Sequence, residues 1–190
     1  MKTTTESLEE LFNKSQRLNK TLATINHVYS ALVKSQTEHE LYGKVCESVT
    51  SQNDFSLAWI GIPINDDNKS VEVFASAGNA ILYLDGIKVS WGDNPYGNGP
   101  VGRAIRTGKI QFNNNRLYSR QFSPWRDRAK EFKLQAVFSL PIKFSTGQVI
   151  AALTVYSEQA NAFYKDELEL LDQLCSDLGY CVESLRKRTA

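Results

Sequence analysis

One stretch of the sequence, SWGDNPYGNGPVGRAIRTGK (Ser90–Lys109), concentrates residues that could hold a ligand. Gly97, Gly99 and Gly102 permit backbone angles that other residues resist. A short helix is predicted to begin at this glycine run and to extend to Thr107, and the free amide groups at a helix N-terminus bind phosphate or carboxylate. The alternative is that the glycines only shape a tight turn from loop to helix. The stretch contains neither a phosphate loop ending in GK[ST] nor a GxGxxG dinucleotide fingerprint after a strand.

Four arginines lie on two predicted short helices, Arg103 and Arg106 on the first and Arg126 and Arg128 on the second. Guanidinium groups can bind phosphate or carboxylate in a bidentate manner, which is the functional interpretation. The favoured interpretation for all four is a solvated helix face.

Histidine and cysteine, the other residues that commonly carry chemistry, are few and scattered. His27 and His39 both fall in the N-terminal helical region, and with Cys46, Cys175 and Cys181 they do not form a metal-binding spacing. A haem ligand from either histidine would be poorly placed. Because the sequence offers no nucleophile–base pair and no carboxylate dyad, it predicts no hydrolytic apparatus.

Length and composition favour one soluble globular domain. The chain has 190 residues, 42% of them hydrophobic, and its 22 basic and 21 acidic residues give a net charge of +1. Nothing in this balance requires nucleic acid or an anionic membrane as a partner. No apolar run reaches the roughly 20 residues of a membrane-spanning helix, and the N-terminus lacks the apolar core of a secretory signal. Three widely separated cysteines are typical of reduced thiols, so we expect a cytoplasmic protein.

The hydrophobic periodicity predicts an α/β domain of the α+β type, built around a mostly antiparallel sheet. Helices are predicted over the first 32 residues and over 38–51, 101–107, 123–134 and from about 166 onwards. Strands are predicted over 55–64, 70–78, 86–91, 109–115, 135–144 and 148–157.

Both terminal helices carry apolar residues at heptad spacing, which is typical of a helix that packs against another helix. We expect a seam shared with a second copy in a homodimer, and the alternative is packing on the chain's own domain. The predicted boundaries are a signalling and dimerisation helix over 1–36, a domain over 24–185 and a basic tail over 186–190 that leads into an output domain. The N-terminal seam contains Leu8, Leu11, Leu18, Leu22, Ile25, Tyr29 and Leu32. The C-terminal seam contains Leu168, Leu171, Cys175, Leu178, Val182 and Leu185.

Four stretches of the sequence together resemble a GAF domain. They are FSLAWIGI, VSWGDNPYGNGPVGRAIRTGKIQFNN, SPWRDRAKEFKLQAVFSLPI and GQVIAALTVYSEQANAFYKDELELL, within residues 24–185. The sequence is similar in particular to bacterial GAF domains that precede diguanylate cyclase or cyclic-di-GMP phosphodiesterase modules. The resemblance implies a sheet of about six antiparallel strands, with the terminal helices on one face and a small-molecule pocket on the other. It implies signalling rather than catalysis.

The sequence departs from three ligand-specific patterns of that family. Between Tyr83 and Leu134 there is no cysteine that could attach a bilin or act as the thiol of a methionine sulfoxide reductase. Phe163, Asp166 and Glu167 resemble half of the phosphodiesterase-type cyclic-nucleotide signature. The spacing from Phe163 to Asp166 is one residue short, and no Asn-Lys pair stands nearby.

The leading hypothesis is a regulatory sensor that binds a cyclic nucleotide such as cAMP or cGMP and controls a cyclic-di-GMP-metabolising output. A ligand-free dimerisation module and a thiol-dependent reductase are the alternatives. Trp91 and Trp125 border loops and could stack on a planar base, whereas Trp59 and Phe138 are expected in the core. The candidate ligand-binding residues are Trp91, Asn94, Tyr96, Asn98, Gly99, Val101, Gly102, Arg103, Asn113, Trp125, Ser139 and Thr154.

Overall fold

The computed structural model describes residues 2–52, 55–115 and 120–189. The helices are α1 (Lys2–Lys34), α2 (Glu38–Gln52), α3 (Pro100–Thr107), α4 (Arg126–Glu131) and α5 (Lys165–Thr189). The strands are β1 (Leu57–Pro63), β2 (Val71–Ala77), β3 (Gln111–Asn113), β4 (Ala136–Lys143) and β5 (Val149–Ser157). Short 3₁₀ helices cover Ile81–Leu84 and Arg120–Trp125. The predicted basic tail is helical as far as residue 189.

A single antiparallel sheet joins the strands in the order β2-β1-β5-β4-β3. The hairpin of β4 and β5 pairs from Ala136 and Ser157 to Lys143 and Val149. Its turn contains Gly147 at a φ of +85°, a backbone angle that glycine adopts without a steric cost. Because β5 lies at the centre and both faces of the sheet are covered, the strand is buried from Ile150 to its end.

The sheet has five strands among the described residues, not the expected six. The segment predicted as a third strand, Gly86–Trp91, forms only one isolated bridge, between Ser90 and Ser70. Two backbone hydrogen bonds beside it, Val71 N–H to Val89 O and Trp91 N–H to Lys69 O, tie the segment to the loop before β2. The segment packs on the loop-covered face of the sheet through the side chains of Ile87, Val89 and Trp91. These apolar contacts hold the segment in place of a regular ladder of strand hydrogen bonds.

Side-chain alternation along the strands divides the core into two layers. The helical layer packs the inner faces of α1, α2 and α5 on residues such as Phe138, Leu153 and Val155. The loop-side layer packs α3, the 3₁₀ helices and α4 on residues such as Leu57, Trp59 and Tyr156. This confirms that the terminal helices share one face of the sheet and leaves the opposite face to loops and short helices.

The terminal helices α1 and α5 run parallel to each other. Lys14 pairs with Asp166 at 2.7 Å, Arg17 with Glu167 at 2.9 Å, and the Tyr29 hydroxyl donates to Asp177 at 2.5 Å. Since Lys14 lies opposite the start of α5, the first turns of α1 project beyond the domain. The side chains from 7 to 16 are all exposed.

The two heptad seams have different surroundings. The α5 seam is buried within the domain over its whole length, with every member less than 10% exposed. The α1 seam is not: Leu8, Leu11 and Leu22 are 63, 61 and 47% exposed. Helix α1 instead turns toward the domain a stripe that contains Thr21, Thr24, Val28 and Ala31. At 100° per residue, that stripe lies about 125° around the helix from the seam.

Candidate functional site: a closed pocket and an arginine-lined cleft

The glycine-rich loop before α3 is held by one arginine. The Arg106 Nη1 group donates to the carbonyl oxygens of Trp91, Gly92 and Gly97 at 3.1, 2.6 and 2.7 Å, and Nη2 donates to Asn98 Oδ1 at 3.2 Å. Four acceptors on one guanidinium fix the path of the loop. The expectation of a merely solvated Arg106 is therefore wrong, because the side chain closes the loop on itself.

Two glycines of this loop allow close packing. A Cβ atom on Gly102 would lie 2.3 Å from Ser90 O and 2.4 Å from Gly97 O, and one on Gly99 would lie 2.7 Å from the Trp125 ring. No side chain fits at such distances without a shift of the neighbours. Both glycines therefore serve the packing of the loop and of α3, which is the scaffold alternative. Gly99 also places the Trp125 indole directly against the start of α3.

A row of polar groups crosses the loop-covered face of the sheet. Strand register aligns Trp59 of β1 with Thr154 of β5, Ser139 of β4 and Gln111 of β3. The Ser139 and Thr154 hydroxyls, both fully buried, are hydrogen-bonded to each other at 2.8 Å. The Trp59 Nε1 group is also fully buried, and no described residue accepts a hydrogen bond from it. Such an unpaired buried donor is costly, so this row is a polar floor with hydrogen-bonding capacity left over.

Aromatic side chains cover this floor. The 3₁₀ helix Arg120–Trp125 and α4, together called the covering segment (residues 120–131), bring Phe122 and Trp125 over the sheet with ring centroids 5.3 Å apart. The Trp125 Nε1 group donates to Lys88 O at 2.9 Å. Tyr83 and Tyr156 pack together beside them, with centroids 5.3 Å apart. The cavity that remains under Trp125 measures about 10 Å³, room for at most one water molecule.

The covering segment differs from the predicted helix. Pro124 lies inside the 3₁₀ helix instead of at the first position of an α-helix, and α4 begins three residues after Ser123 without a side-chain cap. Arg128 attaches the segment to the rest of the domain, since its guanidinium donates to the carbonyl oxygens of Leu82 and Tyr83 at 2.6 and 2.7 Å. The segment is short and irregular, and Trp125 and Arg128 are among the residues that attach it to the 81–88 region.

A second concavity opens on the outer side of α3. Its volume is about 550 Å³, and it lies between α3 and the covering segment. Arg103 and Arg106 of α3 and Arg120 of the covering segment line it, with Asn98, Gln121 and Ser123 as neutral polar groups. Arg103 Nη1 donates to Gln121 Oε1 at 2.8 Å and so joins the two walls. This cleft is open and cationic, whereas the cavity under Trp125 is closed and apolar.

The structure divides the predicted ligand-binding residues among several places. Gly99, Val101, Gly102 and Trp125 line the closed pocket, whereas Ser139 and Thr154 belong to the polar floor of the sheet and do not line that cavity. Asn98 and Arg103 line the arginine cleft. Tyr96 is 43% exposed and meets Trp125 edge-on at 6.3 Å.

The remaining predicted residues, Trp91, Asn94 and Asn113, lie outside the closed pocket. Trp91 turns away to a groove beside Gly108 and Gln148, where its Nε1 donates to Ile64 O at 2.9 Å. The Asn94 and Asn113 side chains accept backbone N–H bonds from Tyr96 and Asn115, both at 3.0 Å, which is the turn role of asparagine.

Sequence reasoning missed three contributors. Tyr83 lies in a 3₁₀ helix too short to give a periodic signal, and Arg120 and Gln121 precede the predicted start of their helix. The aromatic spacing of QFSPW carried part of this information, because Phe122 and Trp125 are three residues apart. Three residues make one turn of a 3₁₀ helix, so both rings point to the same side.

All three cysteines lie on the helices of the opposite face. Cys46 is on α2, and Cys175 and Cys181 are on α5. Burial raises the pKa of the Cys46 thiol to about 12 and also raises the pKa values of Cys175 and Cys181. A thiol with a raised pKa holds little reactive thiolate near neutral pH, so these cysteines are poor nucleophiles.

Within residues 2–52, 55–115 and 120–189, no three histidine, cysteine or carboxylate side chains converge as a metal site would require. None of the described helices is long and apolar enough to cross a membrane.

The sequence of this chain identifies the protein family to which it belongs. The sequence matches the model of the GAF domain over residues 35–183. The chain belongs to the GAF domain family. GAF domains are regulatory modules that bind small molecules. A comparison with curated protein sequences finds no match.

Solved structures of other GAF domains have a similar fold. The GAF domain of an Acinetobacter phosphoenolpyruvate-protein phosphotransferase is 15% identical, with a TM-score of 0.68 over 89% of this chain and 96% of that one. The GAF domain of nlh2 from A. aeolicus in an inactive state is 20% identical, with a TM-score of 0.64 over 92 and 99%. Free methionine-R-sulfoxide reductase from Neisseria meningitidis, in complex with its substrate, is 14% identical, with a TM-score of 0.72 over 88 and 91%. At these identities the similarity concerns the fold alone.

Proposed function

We propose that this GAF domain is a sensor whose ligand enters between the polar floor and the covering segment and displaces the aromatic roof. The observation that supports the proposal is the Trp59 Nε1 group, which is buried without an acceptor among the described residues, on a residue that pairs in register with Thr154. A ligand with hydrogen-bond acceptors satisfies this group, and Phe122 and Trp125 offer ring faces to a planar ligand. The covering segment is short and irregular, so we take it as the part of the roof that moves.

A cyclic nucleotide is the ligand class that we propose first. Its base is planar and carries acceptors on its edge for the floor, while the free amide groups of Val101 and Gly102 at the start of α3 suit its phosphate. The displaced covering segment then closes over the bound ligand. Cyclic nucleotides are therefore the first probes.

Calorimetric titration of the intact chain with cAMP and with cGMP tests this assignment. We expect saturable heat and a raised melting temperature with at least one of the two. The double variant Ser139→Ala/Thr154→Val, which keeps the floor filled but removes its hydroxyls, should weaken binding about tenfold. The pair Thr50→Val/Ser51→Ala on α2 is the matched control and should bind like the parent. The absence of both binding heat and a thermal shift at millimolar concentrations of either nucleotide would contradict the cyclic-nucleotide proposal.

A ligand-free interaction module is the second candidate, and one observation favours it. The chain's own aromatic side chains reduce the pocket to about 10 Å³. Native mass spectrometry of freshly purified protein separates the two functions, because a sensor that retains its ligand gives an added mass. The positions of the cysteines and their raised pKa values favour either binding function over a thiol-dependent reductase.

We also propose a homodimer in which the exposed stripe of α1 packs against a second copy. Leu8, Leu11 and Phe12 are each more than 60% exposed on a part of the helix that projects beyond the domain. An isolated helical arm of this length is marginal in water, and a helix partner stabilises it by covering the apolar stripe. Sedimentation equilibrium should give a dimer for the parent and a monomer for Leu8→Glu/Leu11→Glu. Gln16→Glu, which adds a negative charge on another face of α1, should remain dimeric.

The proposed direction of signalling runs through the helical face. Ion pairs join α1 to α5, so a shift of the sheet against α5 is passed to the dimer seam. The similarity of the sequence to GAF domains that precede cyclic-di-GMP enzymes supports an output that makes or degrades cyclic di-GMP. A fusion of the chain, through α5, to a diguanylate cyclase domain tests this direction of signalling. We expect the rate of the cyclase to change when the pocket ligand is added.

A further inference from the structure

We infer that the arginine cleft outside α3 is a second binding site, specific for a small molecule that carries phosphate groups. The cleft is separate from the closed pocket, since Trp125 and Phe122 line the pocket and Arg103, Arg106 and Arg120 line the cleft. Its volume of about 550 Å³ falls in the range of small-molecule sites. The inference does not depend on the proposed pocket ligand.

The charge of the cleft favours an anion. Three guanidinium groups line it, and none of the described residues that line it is acidic. Among the described residues, none of the three arginines forms an ion pair with a carboxylate, whereas Arg17 and Arg186 on the helical face both do. Like charges that converge without a counterion repel one another, and a bound anion removes that repulsion.

Hydrogen-bonding geometry favours phosphate over carboxylate. Both Nη atoms of Arg106 donate hydrogen bonds to neutral acceptors of the glycine-rich loop. The guanidinium is therefore held in place, but its charge is not neutralised. Arg103 makes one bond, to Gln121, and Arg120 faces it from the covering segment. A phosphate group offers three oxygens to donors on several sides, whereas a carboxylate offers two in one plane. The Ser123 hydroxyl adds a neutral donor on the same wall.

A phosphate bound in the cleft would contact both α3 and the covering segment. Arg103 and Arg106 belong to α3, while Arg120, Gln121 and Ser123 belong to the segment that carries Phe122 and Trp125. A phosphate held by both walls joins them more strongly than the single bond from Arg103 to Gln121. It should therefore hold the covering segment against α3.

Titration of the intact chain with inorganic pyrophosphate, at constant ionic strength, tests the inference. We expect saturable binding with a dissociation constant below about 1 mM. Arg120→Gln removes a guanidinium that forms no hydrogen bond or ion pair with a described residue, and it should weaken binding about tenfold while leaving the melting temperature unchanged. Arg103→Gln/Arg120→Gln should weaken it further.

Arg188→Gln on α5 is the matched control, because it removes the same charge far from the cleft. Pyrophosphate binding to this variant should equal that of the parent. Equal losses in Arg120→Gln and Arg188→Gln would show a general charge effect and overturn the inference, as would the absence of saturable binding to the parent. Because cAMP and cGMP are tested separately with the floor variants, either proposal can fail without the other.

Discussion

The two faces of the sheet are covered by different kinds of structure. On the helical face, long helices with regular apolar stripes cover aliphatic strand residues, and every member of the α5 seam is buried. On the loop-covered face, short irregular segments hold aromatic rings over polar groups that include an indole N–H for which no described residue is an acceptor. Uniform apolar packing maximises stability, whereas buried polar groups under a weakly attached cover lower it. The difference supports the proposal that the helical face stabilises the fold and that the loop-covered face binds the ligand.

The largest expected effect is on the helical face. Leu153 of β5 is fully buried there, so Leu153→Ala should lower the free energy of unfolding by about 3 kcal/mol. Leu82→Ala, at a residue that is 65% exposed, is the control and should cost less than about 0.5 kcal/mol. Urea denaturation measures both. If Leu153→Ala cost no more than its control, the helical face would not be the stable part of the fold.

The next effect concerns the loop that starts α3. Gly102→Ala places a methyl group about 2.3 Å from a backbone oxygen, so it should destabilise the chain by about 2 kcal/mol. Gly43→Ala in α2 is a matched substitution with no atom within 4 Å of the new Cβ, and it should stabilise the chain by about 0.5–1 kcal/mol. Thermal melting of both variants should therefore give shifts of opposite sign. Shifts of the same sign would remove the distinction between a tightly packed loop and an ordinary helix.

A smaller effect tests the polar floor. Ser139→Ala leaves the buried Thr154 hydroxyl without its partner and should cost about 1–2 kcal/mol. The double variant Ser139→Ala/Thr154→Val removes both hydroxyls and should recover most of that loss. A double-mutant cycle by urea denaturation measures the coupling. Additive losses would mean that the two hydroxyls do not act as a buried pair.

The smallest effect is a pH dependence on the helical side. The Lys187 ammonium and the Ser145 backbone N–H hold the pKa of Glu183 down to about 2. Because the folded pKa lies below the unfolded value, this contact stabilises the fold above pH 4.5 and is lost as the pH falls toward 2. Glu183→Gln should melt slightly below the parent at pH 7 and level with it near pH 2. A difference that is constant with pH would assign the effect to packing rather than to charge.

The helical face could be predicted from the sequence much better than the loop-covered face. The strands and terminal helices have strong periods, so the order of the elements followed directly, and the resemblance to GAF domains implied that the terminal helices share one face of the sheet. The heptad pattern did not reveal its partner, because the apolar seam of α5 packs within its own domain while the first members of the α1 seam, Leu8 and Leu11, remain exposed. Periodicity reports that a stripe will be covered, not what covers it.

The candidate site was predictable in residue type but not in side-chain direction. Trp91 and Trp125 looked equivalent, yet Trp125 covers the pocket and Trp91 bonds to Ile64 O in a different groove. Arg106 looked like a surface residue, yet it organises the loop through three carbonyl oxygens. Irregular segments have no period from which to read orientation, so these outcomes depend on tertiary contacts.

Amide hydrogen exchange of the ligand-free chain is the most direct test of the claim that the loop-covered face opens while the helical face stays closed. Helical-face amides in α5, such as those from 171 to 182, should exchange only through global unfolding. Amides bonded within and after α4, such as Leu134 N–H to Ala129 O, should exchange at least about 100-fold faster through local opening of the covering segment. Equal, slow exchange in both places would contradict the account, because the pocket would then have no route by which a ligand could enter.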